Sequence, residues 1–329
     1  MTVLRMIYQS VLAEWLTTFT KGKFALGRRF AHPARALRLF DRYLVAQGIT
    51  SIDAISSDVI TAFLLSRPRL SARSYNELLG VIRRFFQWMV DQQILSVSPV
   101  QVTTRREGPR RRPFLFGVPE ARRLLELARD LPDRNRAPQR GPTYHAIFAI
   151  LYGLGLRVGE VAKLCLGDLD LERQILTIRE TKFGKSRLVP FGPRLARVLR
   201  NYIEHHRYPD LAAADTPLFT FDGRQSVSTN SIRKTFRDYL IPRLGLAVPP
   251  GTGSPRVHDL RHSFAVGALL RWYRDGLNPA VRLPHLSTFL GHINTEATAV
   301  YLTITDDLLQ EASHRFSRCV PPLMMEAAE

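Results

Sequence analysis

Six residues in the second half of the chain have side chains suited to one kind of chemistry: Arg157, Lys182, His258, Arg261, His292 and Tyr301. Two arginines and a lysine offer fixed positive charge to a group that becomes more negative as it reacts. Histidines can move protons or donate hydrogen bonds, and a tyrosine hydroxyl can attack. Together these form a metal-free set for breaking a phosphodiester. A pentavalent phosphorane spreads extra negative charge over its oxygens, and losing one preorganised donor to such oxygens typically slows a reaction by on the order of 10²- to 10³-fold.

The local contexts sharpen this reading. Arg157 interrupts the apolar, glycine-rich run AIFAILYGLGLRVGEV. An unpaired buried guanidinium would cost several kcal/mol, so Arg157 requires an anion, either Glu160 or a bound phosphate. In VHDLRH, His258 and Arg261 stand three apart at the start of a predicted helix, and Arg261 falls inside the apolar stripe Leu260, Phe264, Ala268 and Trp272. A second arginine is therefore aimed inward. His292 precedes Tyr301 in FLGHINTEATAVYLTI, where Asn294 or Thr295 can cap a helix that carries Tyr301 about two turns in. Ala297, Val300, Ile304 and Leu308 would share its face, a pattern equally typical of a core aromatic.

The elements that must position these residues form two domains. Residues 1–104 read as amphipathic helices. The clearest runs from Ser71 to about Gln93, with Leu78, Leu79, Ile82, Phe85, Phe86 and Met89 at helical spacing and Arg73, Arg83 and Arg84 along it as a basic face expected to bind DNA. Residues 105–116 carry Arg105, Arg106, Arg110, Arg111 and Arg112 around Gly108 and Pro109 and read as an extended basic linker able to follow a phosphate backbone. In residues 117–329, helices are expected at Val118 to Asp130, Thr143 to Leu151, Pro193 to His206, Ser228 to Leu240, His258 to Arg274 and Thr295 to Leu309. A β-hairpin is expected in QILTIRETKFGKSRLVPF, turning at Phe183-Gly184 with Lys182 at the turn. The fold class is thus mainly α, an N-terminal helical domain followed by a mostly helical domain with a small antiparallel sheet.

Composition narrows the partners. The 329 residues hold 47 basic against 29 acidic side chains, a net charge of +18, which favours a polyanion such as nucleic acid. No apolar run approaches the roughly 18 residues a membrane helix needs. The two cysteines, Cys165 and Cys319, make no metal-spaced pair, and the amino terminus lacks a secretory pattern, so a reducing cytoplasm is expected. His258 and His262 lie four apart on a helix, yet no HExxH or cysteine set accompanies them to complete a zinc site. Asp168, Asp170, Asp306 and Asp307 suggest no two-metal centre.

GLRVGEV, TKFGKSRLVPF, HDLRH, LGH and the tyrosine of AVYLTI occur in the order seen in the tyrosine recombinase (phage integrase) family, which the chain resembles from about Val118 to Phe316. The helical first domain looks like that family's core-binding domain, and YLTITDDLLQEA looks most like integrases and transposases of mobile elements. The resemblance implies that Tyr301 attacks a scissile DNA phosphate to give a 3′-phosphotyrosyl link and a free 5′ hydroxyl. Arg157 and Arg261 would clamp the non-bridging oxygens, Lys182, rather than its rival Lys185, would protonate the leaving oxygen, His258 would assist proton transfer and His292 would hydrogen-bond the phosphate. It further implies double-stranded DNA as partner, a homotetramer exchanging strands through a Holliday junction, possible accessory DNA-bending or partner recombinase proteins, and no metal, ATP or other cofactor. The segment DDLLQEASHRF would dock on a neighbouring protomer. A type IB topoisomerase and a non-catalytic DNA-binding protein of the same fold are the alternatives.

Overall fold

The computed structural model describes residues 8–27, 30–69, 71–108, 111–179, 186–207, 213–292, 294–303 and 310. The chain divides into two compact units, Met1–Arg110 and Arg111–Glu329.

The first unit is helical: α1 Ala13–Ala25, α2 Ala31–Ala46, α3 Ser57–Leu65 and α4 Ala72–Asp91. Ser56 and Ser71 cap α3 and α4 by accepting from the amides of Val59 and Ser74, which satisfies donors that no helical carbonyl can reach. All six apolar residues expected on the inner face of α4 are buried. They meet an aromatic core in which Phe40 packs edge-to-face on Phe63 and Phe86, at centroid separations of 5.0 and 6.0 Å. Asp41, itself buried, accepts the amides of Gln9 and Ser10 and fastens the start of the described chain.

The boundary at Arg110 and Arg111 falls inside the segment expected as a free basic linker, and both ends of that segment are held by their own units. On the first side, Asn76 brackets Arg105 with two hydrogen bonds of 2.8 Å, the Arg105 guanidinium lies 3.8 Å from the Tyr75 ring centroid, and Arg83 donates to the Val102 carbonyl. On the second side Phe114 and Phe116 are buried in the core of their unit. Residues with these contacts are docked chain within their own units rather than free linker. Arg110 lies outside the described residues.

The second unit is built on α6 Arg140–Leu154, whose apolar residues face inward all round: Tyr144, Ile147, Phe148, Ile150 and Leu151 are each nearly or wholly inaccessible. A helix apolar on every side must be covered on every side. Here α5 Val118–Arg129, α8 Pro193–His205 and α11 Val257–Arg274 do so. The sheet β1 Leu169–Asp170, β2 Ile175–Ile178, β3 Arg187–Pro190 is antiparallel, with Ile178 opposite Arg187 and Ile175 opposite Pro190. This matches the expected hairpin and adds a third strand. Its turn, with Lys182 and Lys185, lies outside the described residues. The remaining elements are α7 Val158–Val161, a 3₁₀ turn Leu166–Asp168, α9 Thr229–Thr235, a π-helical turn Phe236–Leu240, α10 Ile241–Leu244, α12 Pro279–Leu290, α13 Glu296–Ala299 and a 3₁₀ turn Val300–Thr303.

Two features depart from expectation. Helix α12 was not anticipated, because Pro279 and Pro284 punctuate its sequence. Pro279 suits a helix's first turn, but Pro284 lies within the helix. Over the described residues, the helix expected to carry Tyr301 opens as one α turn that tightens into 3₁₀ geometry at Val300–Thr303. Ala297 and Val300 face solvent, while Thr298 and Tyr301 are buried. Ile304 and Leu308 lie outside the described residues.

Helix α6 starts close against the end of α5, and Gly141 permits this: a Cβ there would run into the Arg129 backbone carbonyl, which cannot rotate away. Gly141→Ala is expected to destabilise the protein by about 3 kcal/mol, the scale of an overpacked core contact. A chemical denaturation curve of the full chain checks this, and an unchanged midpoint would refute the packing argument.

Candidate active site

Helix α6 ends at Gly155, whose φ of 58° is left-handed; a Cβ added there would lie 2.6 Å from Cδ1 of Phe264. Only glycine meets both conditions. The chain then turns into α7, with Arg157 at its N-cap and Glu160 at N3. Glu160 reaches back to the Arg157 amide at 2.9 Å and takes the Arg157 Nη1 at 2.9 Å. Glu160 is therefore the internal anion considered for Arg157, but it is shared. Arg187 of β3 holds the same carboxylate through Nη1 and Nη2, at 3.1 and 3.0 Å. Burial alone would raise the Glu160 pKa; the hydrogen bonds from Arg187 and the Arg157 amide, with both cationic charges, reverse this and hold it low.

Arg261 completes the cluster. It is 1% exposed and faces no carboxylate of its own among the described residues. Its Nη1 donates to the Gly155 carbonyl and its Nη2 to the Leu290 carbonyl, both at 2.8 Å. Burial and the charge of Arg157 push its pKa down to about 10, which leaves it protonated at neutral pH. Three guanidiniums thus cluster where there is one carboxylate, and two of them bind it. The arginines are accommodated by the end of α12. Arg157 Nη2 donates to the Gly291 carbonyl at 2.9 Å and Nη1 approaches that of Leu290 at 3.4 Å, while Arg187 Nε donates to that of Phe289 at 2.8 Å. Gly291, with φ of 68°, ends α12 in a Schellman turn: its amide donates to the Thr288 carbonyl and the His292 amide to that of Ser287, both at 2.9 Å. The carbonyls of 289 to 291 are left free for the arginines.

The 3₁₀ turn brings Tyr301 to the same place. Its hydroxyl lies 3.0 Å from Nδ1 of His262, and the residue is 3% exposed among Ala265, Leu269, Leu286 and Leu290. Burial raises the pKa of this phenol, opposed by the charges of Arg261 and Arg157. The His292 ring stacks toward Tyr301 at a centroid distance of 6.4 Å, and its Nδ1 lies 2.7 Å from Oγ1 of Thr298. Burial, with Arg261, Arg157 and Arg187 nearby, lowers the pKa of His292 to about 4. The His258 side chain opens to solvent on one side and meets His262 edge-on at 4.8 Å. Loss of hydration, then His262 and Arg261, lowers its pKa, and His262 is lowered chiefly by burial.

The phage integrase family matches this chain over residues 120–307, more than half its length, and the phage integrase N-terminal SAM-like domain matches residues 34–93. The chain belongs to the phage integrase family. The Sinorhizobium fredii protein y4rB, named as an integrase/recombinase, is 34% identical over 94% of this chain and 98% of its own length. Tyrosine recombinase XerA of Thermococcus kodakarensis is 29% identical over 78% and 79%. Among solved structures, the Tn1549 transposon integrase in complex with a circular intermediate DNA shares the fold at a TM-score of 0.64, with 17% identity over 92% of this chain and 99% of that one. XerH bound to its difH substrate shares it at 0.59, with 21% identity over 93% and 84%.

In this integrase, five of the six expected residues, Arg157, His258, Arg261, His292 and Tyr301, stand around one centre; Lys182 lies outside the described residues. Two further members escaped sequence reasoning. Arg187 reads as an ordinary strand residue, with no signal that it would be buried on Glu160. His262 had a signal, since it lies four residues after His258 on one helix, but that spacing suggested a metal pair rather than a partner for tyrosine. Asp259, fully buried, caps α11 by accepting the Arg256 amide at 2.9 Å. Of the arginines expected on DNA, Arg84, Arg106 and Arg112 are exposed, Arg73 pairs with Glu77, and Arg83 and Arg105 bind groups of the first unit. Arg111 binds the Ser254 carbonyl and approaches Asp259 at 3.9 Å.

Gly291→Ala places a Cβ 2.7 Å from Nη1 of Arg187 and forces an L residue into left-handed geometry. A loss of about 1–2 kcal/mol in denaturation is expected, with a fall in activity as Arg187 is displaced. His292 supplies a second prediction. Its folded-state value near 4 lies below the ordinary 6.5, so the unfolded chain takes up the proton first as pH drops. Its contribution to stability is complete above pH 6.5 and is withdrawn as pH falls from 6.5 toward 4. His292→Gln should flatten stability-versus-pH in that window, and an unchanged slope would show that the ring is not held neutral by its surroundings.

Proposed function

We propose that this integrase is a site-specific recombinase that cuts and rejoins double-stranded DNA through a covalent link to Tyr301. The observation that supports it most is convergence: a tyrosine hydroxyl on a histidine nitrogen, beside three guanidiniums that outnumber their single carboxylate. The surplus positive charge is a receptor for a phosphate. Arg261 uses two of a guanidinium's five N–H groups on carbonyls, and those remaining, with Arg157, are available to the non-bridging oxygens.

In the reaction, the Tyr301 oxygen bonds to phosphorus and the bond from phosphorus to the 5′ oxygen breaks. The leaving oxygen takes a proton, by family resemblance from Lys182, and departs as a 5′ hydroxyl. His262, held neutral at pH 7, offers Nδ1 to the tyrosine proton. The resulting phosphotyrosyl ester keeps the energy of the broken bond, so attack by a 5′ hydroxyl of another strand reforms DNA without ATP. Two such exchanges in sequence, in a tetramer on paired duplexes, pass through a Holliday junction.

Nicked duplex carrying the ends of the chain's own element should yield a 3′-linked protein adduct on a denaturing gel, and Tyr301→Phe should abolish it while leaving DNA binding intact. Adducts accompanied by relaxation of supercoiled plasmid, with no joining between two duplexes, would reassign the chain to topoisomerase activity. His262→Ala should slow adduct formation by on the order of 10²-fold, the lower range for a general base. In the native protein the rate should fall on the acid side of pH 6.5 as His262 becomes protonated. A His262→Ala rate equal to the native rate would remove His262 from the proton path.

A further inference from the structure

The opposite end of α6 gathers a second group of cations, one that the recombination chemistry does not use. Arg140 begins that helix and is 3% exposed. Its guanidinium lies 5.0 Å from the ring centroid of Tyr239, in the π-helical turn. Arg134, in the turn between α5 and α6, lies 4.9 Å from the same ring and hydrogen-bonds the Tyr239 hydroxyl. Arg243 of α10 lies 5.7 Å from it and donates to the Tyr239 carbonyl at 3.0 Å.

Three guanidiniums thus share one aromatic ring, and among the described residues none is paired with a carboxylate. The nearest acid, Asp133, is spent on the Arg140 backbone amide at 3.0 Å, and the Arg140 side chain otherwise reaches the Pro132 carbonyl at 3.4 Å. Asp238, beside Tyr239, is taken by Arg237. Like charges at this spacing repel one another, and aromatic faces and carbonyls offset only part of that cost. Arg140 illustrates the strain on the group: burial, then the charge of Arg134, lowers its pKa. The amino-terminal end of α6, a helix of fifteen residues, adds its partial positive charge to the same place. At 1.5 Å per residue this point is about 21 Å from the catalytic end of the helix, so it is a separate locus.

We propose that Arg134, Arg140 and Arg243, gathered on Tyr239, form a second phosphate-binding site of the integrase. Arg134 and Arg243, which are exposed, would close on the anion, and the buried Arg140 would serve as its fixed floor. The phosphate is assigned to the DNA backbone; a free phosphate ion shares the chemistry and is separated by experiment. The site stands independently of the tyrosine chemistry, whose test is the covalent adduct.

The backbone contribution to affinity is sequence-independent, so a random 30-base-pair duplex serves as probe. The affinity of the full chain is measured against salt for the native protein, for Arg134→Gln/Arg243→Gln and for the charge-matched control Arg122→Gln/Arg123→Gln on the exposed side of α5. Each lost phosphate contact lowers the slope of log affinity against log salt by about 0.9. A slope reduced by about one to two in the cluster variant and unchanged in the control supports a DNA phosphate site. In parallel, melting is followed in sodium phosphate against sodium chloride at equal ionic strength. A phosphate-specific rise in Tm that the cluster variant alone loses, with no change in DNA slope, keeps the site and assigns it to free phosphate. Equal effects in both variants, or no effect of the cluster variant in either measurement, would overturn the proposal.

Discussion

The arginine cluster of the candidate site depends on carbonyl oxygens at the ends of two helices. Arg157, Arg187 and Arg261 would repel one another and drive out any phosphate-shaped gap were they balanced only by Glu160. The last carbonyls of α12 and the Gly155 carbonyl after α6 bear partial negative charge and have no partner within their helices, so they hold guanidiniums without neutralising them. A carboxylate in their place would cancel the surplus charge of the cluster. The glycines follow from this arrangement: Gly155 and Gly291 turn the chain through left-handed geometry where a side chain would strike Phe264 or Arg187.

Burial governs the histidines of this cluster, and the charge of Arg261 adds to it. Partly stripped of water, His292 and His262 resist protonation and stay neutral at pH 7, as hydrogen-bond partners rather than as additional charges.

Much of this was legible from sequence because costly residues leave marks. An arginine in an apolar run and another inside a helix's buried stripe have no inexpensive structural explanation, and both are at the centre. The apolar spacing of α4 and the alternation in QILTI and RLVP likewise gave their elements directly. What escaped lacked a local mark. Helix α12 was hidden by Pro284, whose effect on the helix is absorbed by packing of Leu283, Leu286 and Leu290 against Tyr301. Arg187 joined the cluster only through the register that sets β3 beside Glu160. The 3₁₀ turn that carries Tyr301 is decided by tertiary contacts, since Thr298 must turn inward to meet His292 while Val300 turns out.

The stretch entering the second unit is moored twice along α11. Arg111 approaches Asp259, and the buried Phe116 amide donates to Oγ of Ser263 at 2.8 Å, one helical turn farther on. Arg261 and His262 lie between these moorings. Tension on the chain at Arg111 or Phe116 is consequently delivered to the helix that carries Arg261 and His262, as a load on a beam rather than on a slack loop. The start of the second unit is in mechanical terms a strut whose anchor is a helix of the candidate site itself.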